Sequence, residues 1–266
     1  MRIPVVAGQF YPSNPRTLKK EIKSYFSSIP INPDPAIMGA VVPHAGYVYS
    51  GRTAAHVYAA LPNADTFVII GPNHTGYGSI VSVSSDTWST PLGAVDSDLD
   101  LIESLPRRII DVDESAHMYE HSIEVQLPFL QTLFKDFRIV SVCMGLQDEE
   151  TAHDVSDELM DAISETDRKV VVIASSDFTH HKPAAVAYDI DHYVLDPLLE
   201  LNVTEFYSRI SERDASVCGY GPIAVMMRVC RGLGANSARL LNYSNSGGAA
   251  QAMENVVGYA GVVVGK

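Results

Sequence analysis

The sequence is short of cysteine, of positive charge and of long apolar runs, and each shortage excludes a class of protein. Only three cysteines occur in 266 residues, Cys143, Cys218 and Cys230, an odd number without close pairing. That excludes a disulfide framework and leaves reduced thiols in a cytoplasmic compartment as the expectation. Nineteen Lys and Arg stand against 32 Asp and Glu, a net charge of −13. Such a field repels phosphate backbones and anionic headgroups, so neither nucleic acid nor a membrane surface is the expected partner. Apolar runs such as Val170 to Ala174 are far too short to span a bilayer. The opening Met1-Arg2-Ile3-Pro4 lacks the apolar core of a signal peptide. Neither a phosphate loop nor a dinucleotide fingerprint is present, since Gly46, Gly51 and the glycines from Gly71 to Gly78 lack the required spacing. No nucleotide cofactor is therefore expected, and a serine-hydrolase elbow is missing as well.

What remains is an ordinary globular composition, 46% hydrophobic and 19% charged. A chain of this length buries roughly three quarters of its unfolded surface without staples. Short apolar runs alternate with helical patterns, which predicts one α/β domain over 1–266, a largely parallel sheet covered by helices on both faces. Asn14-Pro15 reads as a cap and first turn for a helix over about 15–28. Ile37 to Val42, Thr66 to Ile70, Arg138 to Cys143 and Val170 to Ala174 read as buried strands, and Ile80 to Ser84 as a weaker one. Helices are expected around Ala54 to Leu61, over 97–105, 149–164, 189–201 and 203–211, and from Pro222 to Leu233. Another is expected over 118–134, kinked at Pro128. Strands near 239–243 and 256–264 close the chain.

Three of the strands run into a turn that carries histidine: Val42-Pro43-His44, Ile70-Gly71-Pro72-Asn73-His74, and Ile173 through Asp177 to His180. Ligands of open α/β sheets bind beyond the carboxyl ends of the strands, so these histidines are expected to converge. Cys218 precedes Gly219-Tyr220-Gly221-Pro222, near the positive end of a helix, where a thiolate is favoured; a small buried residue is the alternative. Cys143 and Cys230, within a strand and a helix, fit that second description. His117-Met118-Tyr119-Glu120-His121 matches the H-x-x-E-H pattern of inverted zinc peptidases. An obvious third ligand is missing, however, and an accidental match is expected, a polar helix start with Glu120 near the helix N-terminus.

Several segments together resemble the MEMO family: Pro43-His44-Ala45-Gly46-Tyr47, Gly71-Pro72-Asn73-His74, Glu120-His121-Ser122-Ile123-Glu124, Ser175-Ser176-Asp177-Phe178-Thr179-His180, and Cys218-Gly219 with Pro222-Ile223. Ala7-Gly8 before Phe10-Tyr11, Thr90-Pro91-Leu92, Leu127-Pro128 and Leu241-Asn242-Tyr243 extend the match in order over nearly the whole chain. The resemblance implies a LigB-like fold, a three-layer α/β/α domain with a largely parallel mixed central sheet. It further implies kinship with class III extradiol dioxygenases, whose Fe(II) is held by two histidines and a glutamate. On that resemblance His44 and His74 take the places of the two histidines, and Cys218 stands where the glutamate would be. His180 with Asp177 matches the acid/base pair, and His121 lines the same pocket. Thiolate favours softer metals than carboxylate does. The implied cofactor is therefore iron or copper, with zinc a further option.

Phe10, Tyr49 and Asn73 are expected to contact the substrate. Phe10 departs from the tryptophan of eukaryotic members, and Tyr220-Gly221 from a more basic pair. The family also implies radical-SAM and AMMECR1-type protein partners. Three functions follow as expectations: a metal-dependent redox enzyme acting on a small molecule, a non-catalytic binding module for a small anion or (phospho)peptide, and a zinc hydrolase using His117, Glu120 and His121.

Overall fold

A computed structural model describes residues 1–266. The strands are β1 (Ile37–Val42), β2 (Thr66–Pro72), β3 (Val81–Ser84), β4 (Trp88–Thr90), β5 (Gly93–Val95), β6 (Asp111–Val112), β7 (Arg138–Met144), β8 (Val170–Ser175), β9 (His180–Lys182), β10 (Ser237–Asn245) and β11 (Val256–Gly265). The helices are α1 (Pro15–Tyr25), α2 (Tyr47–Tyr58), α3 (Leu99–Glu103), α4 (Leu127–Leu133), α5 (Glu149–Ser164), α6 (Ala184–Leu199), α7 (Val203–Arg213), α8 (Tyr220–Gly232) and α9 (Gly247–Ala250).

The main sheet runs β10-β11-β1-β8-β2-β7-β3-β6, with β9 pairing β11 off that path. Its centre, β1-β8-β2-β7, is parallel, whereas β3, β11 and β10 join antiparallel. The mixed α/β class is thus as the sequence implies. The reason lies in the pleat. Val68 and Ile70 of β2, and Val172 and Ala174 of β8, face one core with α5, α6, α7 and α8. Phe67 and Ile69, and Val171 and Ile173, face the other with α1, α2 and α4. Strands buried on both faces carry apolar residues without alternation, which is how they read in the sequence.

Local chemistry sets the helix starts. Asn14 accepts from the backbone N–H groups of Arg16 and Thr17 ahead of Pro15, and Asp148 caps α5 through the Thr151 N–H. The expected helix over 118–134 is a correction: residues 117–123 form turns, a short 3-10 turn covers Glu124–Gln126, and α4 begins only at Leu127. Pro128 sits in the first turn of that helix, where its missing N–H has no partner to lose, so it opens the helix and does not kink it. The expected helix over 97–105 shrinks to α3, and the β4–β5 hairpin carried no clear alternation to announce it.

Candidate metal centre

Four neighbouring parallel strands end at one edge, and three of them deliver the site. Val42 of β1 lies beside Ser175 of β8, and Ile70 of β2 beside Ala174, so the turns that follow start level with one another. His44, His74 and Asp177 arrive together from those turns. His121 comes from the 117–123 segment, which lies against β2. Gly71 permits this, because a Cβ there would collide with the Ser122 hydroxyl.

One nitrogen from each of His44, His74 and His121 can be chosen so that all three lie within 4.8 Å of one another. The ring centroids are 5.2 Å apart for His44 and His74, 5.5 Å for His44 and His121, and 4.8 Å for His74 and His121. The rings open onto a cavity of about 540 Å³, walled also by Phe10, Tyr49, Asp177, His180 and Tyr259. That is the size of a small-molecule pocket.

Hydrogen bonding fixes which nitrogen His44 and His74 present. The Ser175 hydroxyl donates to the Ser122 carbonyl at 2.6 Å and accepts from Gln126 Nε2 at 2.8 Å. It has only an acceptor position left for His44 Nδ1 at 3.0 Å, so Nδ1 carries the proton and Nε2 is bare. The buried Glu120 carboxylate can only accept. It takes the backbone N–H groups of His74 (2.6 Å), His121 (2.8 Å) and Ser122 (2.8 Å), and His74 Nδ1–H at 3.0 Å. His121 Nδ1 lies 3.3 Å from the same oxygen. A carboxylate behind an imidazole is the usual support of a ligating histidine. His180 repeats the pattern, with Nδ1 on the Ser216 carbonyl at 2.9 Å.

Electrostatics follow from burial. Desolvation holds His44 well below the ordinary imidazole range, with the His121 and His74 rings adding to the effect. His121 is lowered by burial too, with Glu120 opposing. Burial pushes Glu120 up, but its hydrogen bonds and the two imidazoles outweigh that and hold it well below the carboxylate range. Asp177 has fewer compensating partners, and burial raises it to about 6. Three imidazoles converging on one point form a donor set suited to iron, copper, nickel or zinc.

Other expected residues fall differently. Cys218 Sγ lies 3.1 Å from His44 Nε2 and accepts from the Asp177 N–H at 3.2 Å, yet it is not on the cavity wall. Its thiol is not lowered by the start of α8: burial, then Asp177, push it up. Phe10 and Tyr49 line the cavity, but Asn73 does not. The Asn73 side chain instead closes its own turn, accepting from the Thr75 and Gly76 N–H groups and donating to the Tyr77 carbonyl. Asp177 accepts from the His44 N–H at 2.8 Å, and not from His180, which donates its backbone N–H to the Ser216 hydroxyl and its Nδ1–H to the Ser216 carbonyl. His117 lies outside the cavity, buried beside Trp88 with ring centroids 5.7 Å apart. Gln126, Ser175, Ser216 and Tyr259 were not singled out from the sequence. Ser175 heads a quoted motif, but nothing in the sequence marks the other three.

Residues 2–263 match the family described as Memo-like protein. A MEMO1 family protein of Methanosarcina barkeri is 56% identical over 265 residues, covering 99% of this chain and all of the relative. Another from Archaeoglobus fulgidus is 52% identical over 263 residues, covering 99% of each. An uncharacterized protein of Escherichia coli K12 shares the fold, with a TM-score of 0.57 at 13% identity over 85% of this chain and 99% of that one. Matched from its second residue nearly to its last, the chain belongs to the Memo-like protein family.

Proposed function

We propose that the cavity is a metal centre in which His44, His74 and His121 bind a first-row transition metal, iron or copper ahead of zinc, to transform a small organic molecule by redox chemistry. The observation that carries this reading is the convergence of three imidazole nitrogens within 4.8 Å. Their Nδ1 atoms are engaged or faced by acceptors, which leaves Nε2 for a metal. A metal held there would supply a Lewis-acidic, redox-active centre. The chain's own groups do the rest. Phe10, Tyr49 and Tyr259 wall the organic part of a ligand and restrict water. His180, held through Nδ1 by Ser216, has Nε2 free to take a proton from a ligand hydroxyl in the cavity. Asp177 holds the His44 backbone in register with the rings opposite.

A second ligand set, His44, His74 and Cys218, is favoured by the 3.1 Å approach of Sγ to His44 Nε2. Metal analysis of untagged protein, followed by anaerobic titration of Fe(II), Cu(I) and Zn(II) into wild type, His121→Ala and Cys218→Ser, tests both. The three-histidine reading expects His121→Ala to abolish tight binding and Cys218→Ser to spare it. Selective loss of Cu(I) binding in Cys218→Ser supports the sulfur set. Wild-type protein that binds none of the three metals ends the metal reading and leaves a binding module.

A further inference from the structure

The second residue of the chain is an arginine whose side chain is only 4% exposed. Lys and Arg are almost never buried unless paired. The Arg2 backbone bonds Thr87 and Ser89, and Nη1 lies 3.5 Å from the Ile3 carbonyl, but Nε and Nη2 turn to the segment that frames the pocket. Its Nε donates to the His117 carbonyl at 2.7 Å, and Nη2 donates to the Glu120 carbonyl. Nη2 also meets the fully buried Glu124 carboxylate at 2.9 Å, and the guanidinium carbon lies 4.1 Å from the centre of the Trp88 ring. Glu124 completes the other half of the joint. It accepts from the Val5 N–H at 2.8 Å, the Val6 N–H at 3.1 Å and the Tyr11 hydroxyl at 2.6 Å.

Two segments that are distant in sequence are thereby fastened to one another: 2–11, which carries Phe10, and 117–124, which carries Glu120 and His121. Phe10 is also tied down from behind, its carbonyl accepting from the Tyr47 N–H at 2.7 Å. At the far end of this chain of contacts the Phe10 ring meets His121 edge-on at 4.9 Å.

We infer that Arg2, acting through Glu124 and the two carbonyls, is a positioning residue for the pocket: it latches the N-terminal segment onto the 117–124 segment and so fixes His121 and Phe10 at the cavity wall. Glu120 orients the imidazoles of His74 and His121 directly, and Arg2 holds the backbone from which Glu120 projects. A planar fork is needed, because two carbonyls and a carboxylate in different directions exceed what one ammonium can reach with the same geometry.

The metal arm of the test rests on the reading of the pocket as a metal centre; the structural arm does not. Arg2→Met leaves a buried carboxylate unpaired and can fail to fold. The informative variants are therefore Arg2→Lys and the charge-neutral double variant Arg2→Met/Glu124→Gln, with Phe206→Leu, in the opposite core, as a control for lost stability alone. Imidazole ¹⁵N spectra of the metal-free proteins are expected to show His121 passing from one tautomer to an exchanging mixture in both Arg2 variants. His180 and the control should be unchanged. Affinity for Zn(II) should fall about tenfold to a hundredfold in the same two variants, the range for loss of support behind a ligand. Folded Arg2 variants with wild-type His121 signals overturn the latch. Wild-type protein that binds no metal overturns the metal reading alone, and the spectra still decide the latch.

Discussion

His117 and His121 are one helical turn apart in the H-x-x-E-H pattern, yet the fold gives them opposite surroundings. His121 is partly exposed, faces the Glu120 carboxylate at 3.3 Å and joins His44 and His74. His117 is fully buried, and neither of its ring nitrogens has a hydrogen-bond partner in the protein. Helical spacing brings side chains to one face only if the backbone is helical. Here Glu120 accepts the N–H groups of His121 and Ser122, and the segment turns. The lesson is that a carboxylate inside a short motif can serve the backbone in place of the chemistry its spacing suggests.

The largest effect that separates the two histidines is on metal affinity. Alanine at His44, His74 or His121 should each reduce affinity by more than the roughly 10–100-fold expected for loss of a supporting group. Phenylalanine at His117 should leave affinity as it is. Isothermal titration with Zn(II) at pH 7.5 checks both, and a His117 variant that loses binding would break the comparison. Glu120→Gln comes next, expected within that 10–100-fold range. The amide can still accept, but it no longer offers a charge to the imidazoles behind which it sits.

These contrasts explain what was legible in the sequence. β1, β2 and β8 are runs of Val and Ile buried on both sides, and parallel strands level their ends, so His44 and His74 were readable as neighbours from strand and turn alone. The family resemblance supplied His121, because the helix that the pattern predicts over 118–134 does not form at 117–123. Gln126, Ser175, Ser216 and Tyr259 escaped for a different reason. Their roles come from contacts across 36 to 53 residues or more, as between Ser216 and His180 or Ser175 and Ser122, and no local pattern encodes those. Asn73 misled because a polar residue beside a site histidine looks like a ligand contact, whereas its side chain is spent on closing the turn it sits in.

Acid stability sharpens the comparison further. Burial lowers His117 to about 4 from an ordinary 6.5. The unfolded chain therefore takes up the proton first, and stability present above about pH 6.5 is lost as pH falls toward 4. His117→Phe removes that titration and keeps an aromatic ring against Trp88. Relative to wild type it should gain up to roughly 3 kcal/mol between pH 6.5 and 4. Urea unfolding at pH 7 and pH 4.5 measures it, and an equal difference at both values would refute the argument.

The smallest effect concerns the two buried carboxylates of the pocket. Glu120 is held low by the N–H groups and imidazoles around it, whereas Asp177 is raised to about 6 from 3.8 by burial. The sign is opposite to that of a paired carboxylate. Folded Asp177 keeps its proton longer than the unfolded chain does, so its contribution is fully present below about pH 3.8 and is lost as pH rises through 6. An amide in its place does not titrate. Asp177→Asn should therefore start below wild type near pH 4, where both residues are neutral, and overtake it by about pH 6.5, with a constant difference above that. The change across that range should be roughly 3 kcal/mol, of which about 1 kcal/mol remains as net gain, because the amide still accepts from the His44 N–H but carries an NH2 that needs a partner of its own at every pH. Thermal unfolding from pH 4 to pH 8 follows the difference. A variant less stable than wild type throughout would mean that the hydrogen bonds to the ionised carboxylate outweigh its desolvation. Asp177 would then belong with Glu120 as a carboxylate kept charged by the backbone it organises.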